Sequence, residues 1–178
     1  MWKFLAVLAA LCLLSGPAFA AEEGVKPPPA AAEKVLAEVP LDQEMLDDRA
    51  VADWVKGAAA DIMTFDHKNH AEHFDAAKKY FTSVGWETFD AALKRSRVVD
   101  AVTSQSQTVT AEASGEPVIV QEGALGGKYR WIVQMPLVVT YKAPENKRVD
   151  KLQLNLVLER VSLAGSPDGI GIAQWIAQ

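Results

Sequence analysis

Two long runs in the closing third of the chain alternate strictly between apolar and other residues, and no other feature constrains the fold as much. A period of two is typical of extended strands that bury one face and expose the other. Short polar segments separate the runs, which favours neighbouring antiparallel strands. The apolar positions are Trp131, Val133, Met135, Leu137, Val139 and Tyr141 in the first run, and Leu152, Leu154, Leu156 and Leu158 in the second.

Helical periodicity precedes the strands. Apolar residues recur at steps of three and four through residues 51–65, which is typical of an amphipathic helix. Further helices are predicted over about 70–81 and 83–97, and the strand pattern begins at residue 98. The candidate N-caps are Asp47 or Asp48 for the first helix and Ser83 for the third.

Helices followed by antiparallel strands predict an α+β domain, in which the N-terminal helices pack on the concave face of a curved sheet of about four to five strands. This cone-like shape resembles nuclear-transport-factor-2-like folds. A cystatin-like sheet on one helix has the same order of elements and remains an alternative. Pro136 cannot donate a hydrogen bond to a neighbouring strand, so it predicts a sheet edge or a bulge in the first long run.

The first twenty residues have the pattern of a secretory signal peptide. Lys3 precedes an apolar core from Phe4 to Leu14, and Ala18-Phe19-Ala20 supplies the small residues that signal peptidase requires. Because this core is shorter than the roughly 20 residues that span a bilayer, we expect cleavage after Ala20, with an uncleaved anchor as the alternative. Cys12 follows Leu11, whereas a lipidated cysteine needs a small residue before it, so a lipoprotein is not expected.

The remainder divides into a tether and one folded domain. Residues 21–46 are rich in proline and alanine and are predicted to be an extended tether with a short helix over about Ala30–Val39. Residues 47–178 are predicted to be the domain, which the signal would export to the periplasm. The net charge of −5 argues against nucleic-acid binding, because that function needs a clustered basic face.

Four segments together resemble the DotI/IcmL/TraM family of type IVB secretion and related conjugation systems. Each segment alone is a short string of aromatic and strand residues, and the order and spacing of all four are more specific. The segments are Tyr80–Trp86, Pro117–Val120, Tyr129–Leu137 and Gly169–Gln174. The resemblance implies a periplasmic domain similar to the inner-membrane component of the Vir-type machines, with the cone-like fold.

The resemblance also implies a non-enzymatic function, because members of this family are structural subunits with no catalytic residues to transfer. The implied partners are further copies of the chain and other inner-membrane subunits of the secretion apparatus. Family members usually carry a cytoplasmic segment and a membrane helix before the domain. This chain is predicted to have a secretory signal and a tether instead, so membrane association is expected only through partners or an uncleaved signal.

The three histidines are candidate metal ligands. His67, His70 and His73 recur at steps of three and would cover an arc of about 120 degrees on a continuous helix. That arc is too wide for one tetrahedral ion, although adjacent pairs completed by Asp66 or Glu72 would suffice. A plain polar helix face and a pH-sensing cluster are the alternatives. No cofactor is predicted, and a stand-alone ligand- or metal-binding domain is the alternative function.

Catalysis would require a buried acid or tyrosine at a pocket. Asp61 and Asp66 flank the first helix, and Tyr129 and Tyr141 belong to the first long strand, but nothing in the spacing pairs them. The chain has no nucleophile elbow, phosphate-binding loop or dinucleotide fingerprint. Surface acids and core tyrosines are the ordinary interpretation of these residues.

Several apolar residues fall on the strand face opposite the predicted core. A band of such residues on an outer face is a candidate contact surface between subunits, although single exposed apolar residues have no meaning by themselves. The band consists of Ile132, Val138, Val157 and Val161, to which Trp175 near the terminus is added.

Overall fold

The computed structural model describes residues 39–178. The predicted signal peptide over 1–20, its cleavage after Ala20 and most of the predicted tether with its short helix lie outside the described residues. The domain boundaries proposed from the sequence therefore stay predictions.

Four α-helices precede most of the sheet, and three of them were predicted. They are α1 over Asp48–Ile62, α2 over His70–Ala77, α3 over Ser83–Ser96 and α4 over Val98–Ser104, with a 3₁₀ turn over Lys78–Tyr80 after α2. Residues 78–81, expected to continue the second helix, form this turn and the extended Phe81 instead. The expectation that strands begin at residue 98 is wrong, because α4 occupies that stretch.

The helix caps explain where two of the helices begin. Asp47 is the N-cap of α1, and its carboxylate accepts the amide hydrogen of Ala50 over 2.7 Å, as predicted. Ser83 is not the N-cap of α3. Thr82 occupies that position, and its hydroxyl oxygen accepts the Gly85 amide hydrogen over 3.0 Å.

Six strands form one antiparallel sheet, one more than the upper end of the predicted range. They are β1 over Phe65–Asp66, β2 over Thr108–Ala113, β3 over Val118–Leu125, β4 over Lys128–Lys142, β5 over Lys147–Arg160 and β6 over Ile170–Ala177. The order across the sheet is β1-β2-β4-β5-β6, and β3 pairs with β4 on the same side as β2. The α+β class with helices on a curved antiparallel sheet is confirmed.

Pro136 lies in a central strand without a bulge, so the expectation of an edge or a bulge needs correction. The register of β4 with β5 runs through the Pro136–Gln153 pair without a shift. On its other side β4 pairs with β2 up to Leu137 and with β3 from Gln134. The Pro136 carbonyl accepts the amide hydrogen of Ser114 over 3.0 Å, so its ring nitrogen faces the gap between those two strands. No neighbouring strand needs a donor there.

The predicted apolar alternation forms the core. Every odd position from Trp131 to Tyr141 is at most 5% exposed, and Leu154, Leu156 and Leu158 of β5 are equally buried. The helices cover this inner face with aromatic rings. Phe81 and Phe89 pack against Trp175 of β6, with ring centroids 6.4 and 5.6 Å away.

Helix α3 approaches β6 so closely that backbone touches backbone. The Thr82 amide donates to the Ile172 carbonyl over 3.0 Å, and Phe81 forms a parallel bridge with Ile172. Gly85, in the first turn of α3, is buried against that same carbonyl. The first turn of α3 is thereby held at the edge of the sheet.

Candidate interaction surface on the outer face of the sheet

The outer face of the sheet carries four of the five residues that the sequence predicts as a contact band. Ile132 and Val157 are directly paired across β4 and β5, and Val138 pairs with Lys151. Val161 follows the end of β5. All four are half-buried, because neighbouring outer-face side chains cover part of each.

Trp175 does not join that band. Its cross-strand partner is Leu156, which points into the core, and its indole packs on Phe81 and Phe89. Trp175 therefore lies on the inner face of the sheet. Val157 pairs with Gln174 and Leu158 with Ile172, so Ala173 is an extra residue that forms a bulge in β6 and exchanges the faces of the residues beyond it. The period of two would have placed Trp175 correctly if this bulge had been visible in the sequence.

The outer face is hollowed into a trough between α3 and β3. A cavity of about 720 Å³ lies beside the first turn of α3, and one of about 390 Å³ lies beside β3. The two cavities share Arg130, Val157 and Gln174 as lining residues and so adjoin each other. We call the two together the outer trough. Ile132 and Val161 also line it, whereas Val138 does not.

An ion-pair cluster lies inside the outer trough. The Lys128 ammonium lies 2.5 Å from one carboxylate oxygen of Glu159, and Arg130 Nη2 lies 3.1 Å from the other. The Glu159 side chain is only 9% exposed, and the two cations are its ion-pair partners. Sequence reasoning missed this cluster. The available sequence signal was that all three residues fall on the outer positions of the alternation. That Arg130 stands opposite Glu159 follows only from the strand register.

Exposed apolar side chains rim the outer trough and were also missed. Val84, in the first turn of α3, is 66% exposed and Leu125, at the end of β3, is 64% exposed. Val84 lines the cavity beside α3, and Leu125 lines the cavity beside β3. Apolar side chains around a concave polar centre are typical of surfaces that bind another chain.

The histidines do not converge on one point. His67 lies in the turn before α2, His70 begins α2, and His73 Nε2 lies 3.2 Å from the Ile62 carbonyl oxygen while its ring stacks on Phe65. Within residues 39–178 no three histidine, cysteine or acidic side chains are grouped as metal ligands. His70 instead lines a separate groove of about 460 Å³ between α2, α3 and α4.

Asp66 stabilises the turn that contains His67. Its carboxylate accepts the amide hydrogens of Lys68 and Asn69 over 2.6 and 3.0 Å, and these bonds hold its pKa below the usual value.

The lowered pKa of Asp66 predicts a pH dependence of stability. A depressed folded-state pKa contributes stability above the unfolded-state value of about 4 and loses it as the pH falls through the folded pKa. Asp66→Asn is therefore expected to be less stable than the parent at pH 7, with the difference shrinking under acid. Urea unfolding of both proteins at pH 7 and pH 3 measures this. A carboxyl of Asp66 that titrates by NMR at or above its ordinary pKa would contradict the prediction.

The acids and tyrosines considered for catalysis lie in separate places. Asp61 accepts a hydrogen bond from Tyr80 over 2.7 Å, not from Tyr129 or Tyr141. Tyr129 faces Glu122, and burial together with that carboxylate raises the pKa of Tyr129. Burial also raises the pKa of Tyr141, over whose ring the Arg148 guanidinium lies at 4.2 Å. Contacts of these kinds are ordinary in the core of a folded domain and at the edge of that core.

None of the helices in residues 39–178 has both the length and the apolar character that crossing a bilayer requires.

The chain is similar to a defined family of secretion proteins. The family model described as type IVB secretion system, inner-membrane complex component, matches residues 29–178. The solved periplasmic domain of DotI is 36% identical, and the match covers 76% of this chain and 98% of that chain with a TM-score of 0.74. An IcmL-like type IV secretion system protein from Legionella pneumophila is 25% identical over 76% of this chain and 94% of that chain, with a TM-score of 0.69.

More distant structures share the fold alone. A periplasmic fragment of TraM is 18% identical over 75% of this chain and 98% of that chain, with a TM-score of 0.69. CagV, a VirB8 homolog from Helicobacter pylori, is 10% identical over 72% of this chain and 95% of that chain, with a TM-score of 0.52. No curated protein sequence matches the chain significantly. These matches confirm the resemblance that the four sequence segments indicated.

Proposed function

The chain belongs to the type IVB secretion system inner-membrane complex component family, and from this premise we propose that it is a non-catalytic structural subunit that self-associates and binds other subunits in the periplasm. The similarity to the periplasmic domain of DotI supports this location. Membrane association would come through partners or through an uncleaved signal.

The outer trough is the observation that carries the proposal. It combines half-buried apolar residues at its floor, exposed apolar residues at its rim and a charged centre. Interfaces between subunits have this composition, with apolar contacts that exclude water around a few fixed polar groups. Ile132, Val157 and Val161 are the predicted contact residues that the trough retains.

The proposal is tested by cross-linking native cell envelopes mildly and purifying a C-terminally tagged form of the chain. We expect other inner-membrane subunits of the secretion apparatus and further copies of the chain in the eluate. Recovery of the tagged chain alone would contradict the proposal.

A surface variant tests whether the outer trough makes the contact. Leu125→Asp places a carboxylate at an exposed rim position, where docking would have to desolvate it. We expect at least about a tenfold loss of co-purified subunits, since each 1.4 kcal/mol is tenfold in affinity. Val149→Asp is the matched control, because Val149 is 48% exposed on β5 and does not line the trough. Equal losses in both variants would remove the trough from the proposal.

A further inference from the structure

The outer trough contains more positive charge than its own residues neutralise. Lys128 and Arg130 share the single carboxylate of Glu159. Glu122 lines the β3 end of the trough through its position on the strand, but its cross-strand partner is Trp131 of the inner face. Its carboxyl group contacts Tyr129 and Trp131, beside Asp48 and Glu44. The trough therefore carries one uncompensated cation in a chain whose net charge is −5.

The cations retain unused hydrogen-bond donors. Arg130 has five N–H donors, of which Nη2 serves Glu159, and Lys128 has three, of which one points to Glu159. Arg130 Nε is enclosed and has no acceptor among the described residues. An acceptor-rich group entering from outside would meet the remaining N–H groups of Lys128 and of the Arg130 Nη atoms without displacing Glu159.

The first turn of α3 adds a further positive contribution to the same place. Thr82, Ser83 and Val84 line the 720 Å³ cavity together with Lys128 and Arg130. The hydroxyl of Thr82 satisfies the Gly85 amide, so the amides of Ser83 and Val84 have no partner within the 14-residue helix. The positive partial charge of the helix N-terminus thus adds to the positive charges of Lys128 and Arg130.

The walls of the outer trough are apolar on both sides of this charge. Val157 and Val161 form part of its floor, Val84 forms part of the rim beside α3, and Leu125 forms part of the rim beside β3. A free inorganic anion would make no favourable contact with these apolar side chains. A peptide that places a carboxylate between apolar residues satisfies both parts of the surface.

We propose that the outer trough binds an acidic segment of another subunit, in which an aspartate or glutamate contacts Lys128, Arg130 and the α3 N-terminus, and flanking apolar residues contact Val157 and Leu125. This inference rests on the proposed function, because it names the chemistry of the partner that the trough accepts. Charge complementarity favours an acidic occupant, and the two adjoining cavities together offer room for several residues of extended chain.

Fluorescence anisotropy with defined peptides tests the inference on the complete mature chain. The probe is a labelled eight-residue peptide of alternating leucine and glutamate, and its control has glutamine at every glutamate. We expect the glutamate peptide to bind at least about tenfold more tightly at low salt, since hydrogen bonds between charged groups are the stronger ones. The preference should weaken as salt is added. Equal binding of the two peptides would overturn the inference.

Two variants locate the site on the surface. Arg130→Gln removes the cation and should abolish the preference, whereas Lys151→Gln makes the same charge change on the outer face away from the trough and should preserve it. Val84→Glu places a carboxylate of the chain itself in the outer trough, at a helix N-terminus where an acid is tolerated. It should block the peptide while Val84→Gln does not.

Val84→Glu also separates this inference from the proposed function. Co-purification of secretion subunits by the parent chain but not by Val84→Glu supports both. Co-purification that Val84→Glu leaves unchanged overturns the acidic-segment inference and leaves the structural role intact. If the parent chain recovers no subunits, the structural role fails, and the peptide preference still decides the chemistry of the trough.

Discussion

Replacing Gly85 with alanine is expected to lower the free energy of unfolding by roughly 3 kcal/mol. A Cβ atom at this position would lie 2.0 Å from the Ile172 carbonyl oxygen and 3.0 Å from its carbon. Neither partner can yield easily, because the Thr82 amide is bonded to the same carbonyl. Helix α3 would have to move away from β6 and loosen the packing of Phe81 and Phe89 on Trp175.

Thermal and urea unfolding measure the effect of Gly85→Ala. In a domain of this size we expect the midpoint to fall by about 9 °C, at about 3 °C per kcal/mol. Gly57→Ala is the matched control, since Gly57 is an exposed position within α1 with no atom near its Cβ direction. That change should stabilise the domain by about 0.8 kcal/mol. A Gly85→Ala protein as stable as the parent would show that α3 is not held against β6 in this way.

Replacing Arg160 with alanine is expected to cost a similar amount, roughly 3 kcal/mol, and to release the segment before α1. Arg160 is fully buried on the inner face at the end of β5. Its Nη2 donates to the Val39 carbonyl over 2.6 Å and its Nη1 to the Gly169 carbonyl over 3.2 Å. Nη1 also lies 2.7 Å from Met45 Sδ. One side chain therefore ties residues 39–46 to the loop before β6.

Amide hydrogen exchange of residues 39–46, together with urea unfolding, measures the effect of Arg160→Ala. We expect amide exchange in residues 39–46 to be faster in Arg160→Ala than in the parent protein. Exchange there should also be faster than in the core strands, which exchange only through global unfolding. Arg160→Met keeps most of the volume without the donors, so it separates the cavity from the lost hydrogen bonds. Arg95→Ala, at an exposed position of α3, should change stability by less than about 0.5 kcal/mol. Unchanged exchange in Arg160→Ala would exclude this anchoring role.

The local sequence pattern was sufficient to predict most of the helices and strands. The alternation from Trp131 to Leu158 predicted both long strands and their buried faces, and the three- and four-residue steps predicted α1. The stretch from Val98 to Ser104 was misjudged, because its β-branched residues favour strands locally. In the folded chain Arg97 adopts a left-handed conformation with φ of 53°, which ends α3, and α4 then buries Val102 completely. The benefit of that burial depends on residues distant in sequence.

The candidate interaction surface was likewise predicted only in part from the sequence. Ile132, Val157 and Val161 were predicted, because the face of a residue follows from the period of its strand. The bulge beside Val157 placed Trp175 on the inner face, and bulges leave no periodic signal. Glu159 with its two cations was missed, because the sequence shows which residues share a face but not which stand opposite one another.

The sequence by itself determined the family, the α+β class, the two long strands and the sign of the overall charge. These depend on periods, composition and short segments, all of which are properties of neighbouring residues. The tertiary structure alone decided that Arg130 stands opposite Glu159, that Arg160 reaches Val39, and that the first turn of α3 borders the outer trough. Each of these contacts joins residues far apart in the chain. They are fixed by strand register and by the packing of α3 on β6, which no local pattern encodes.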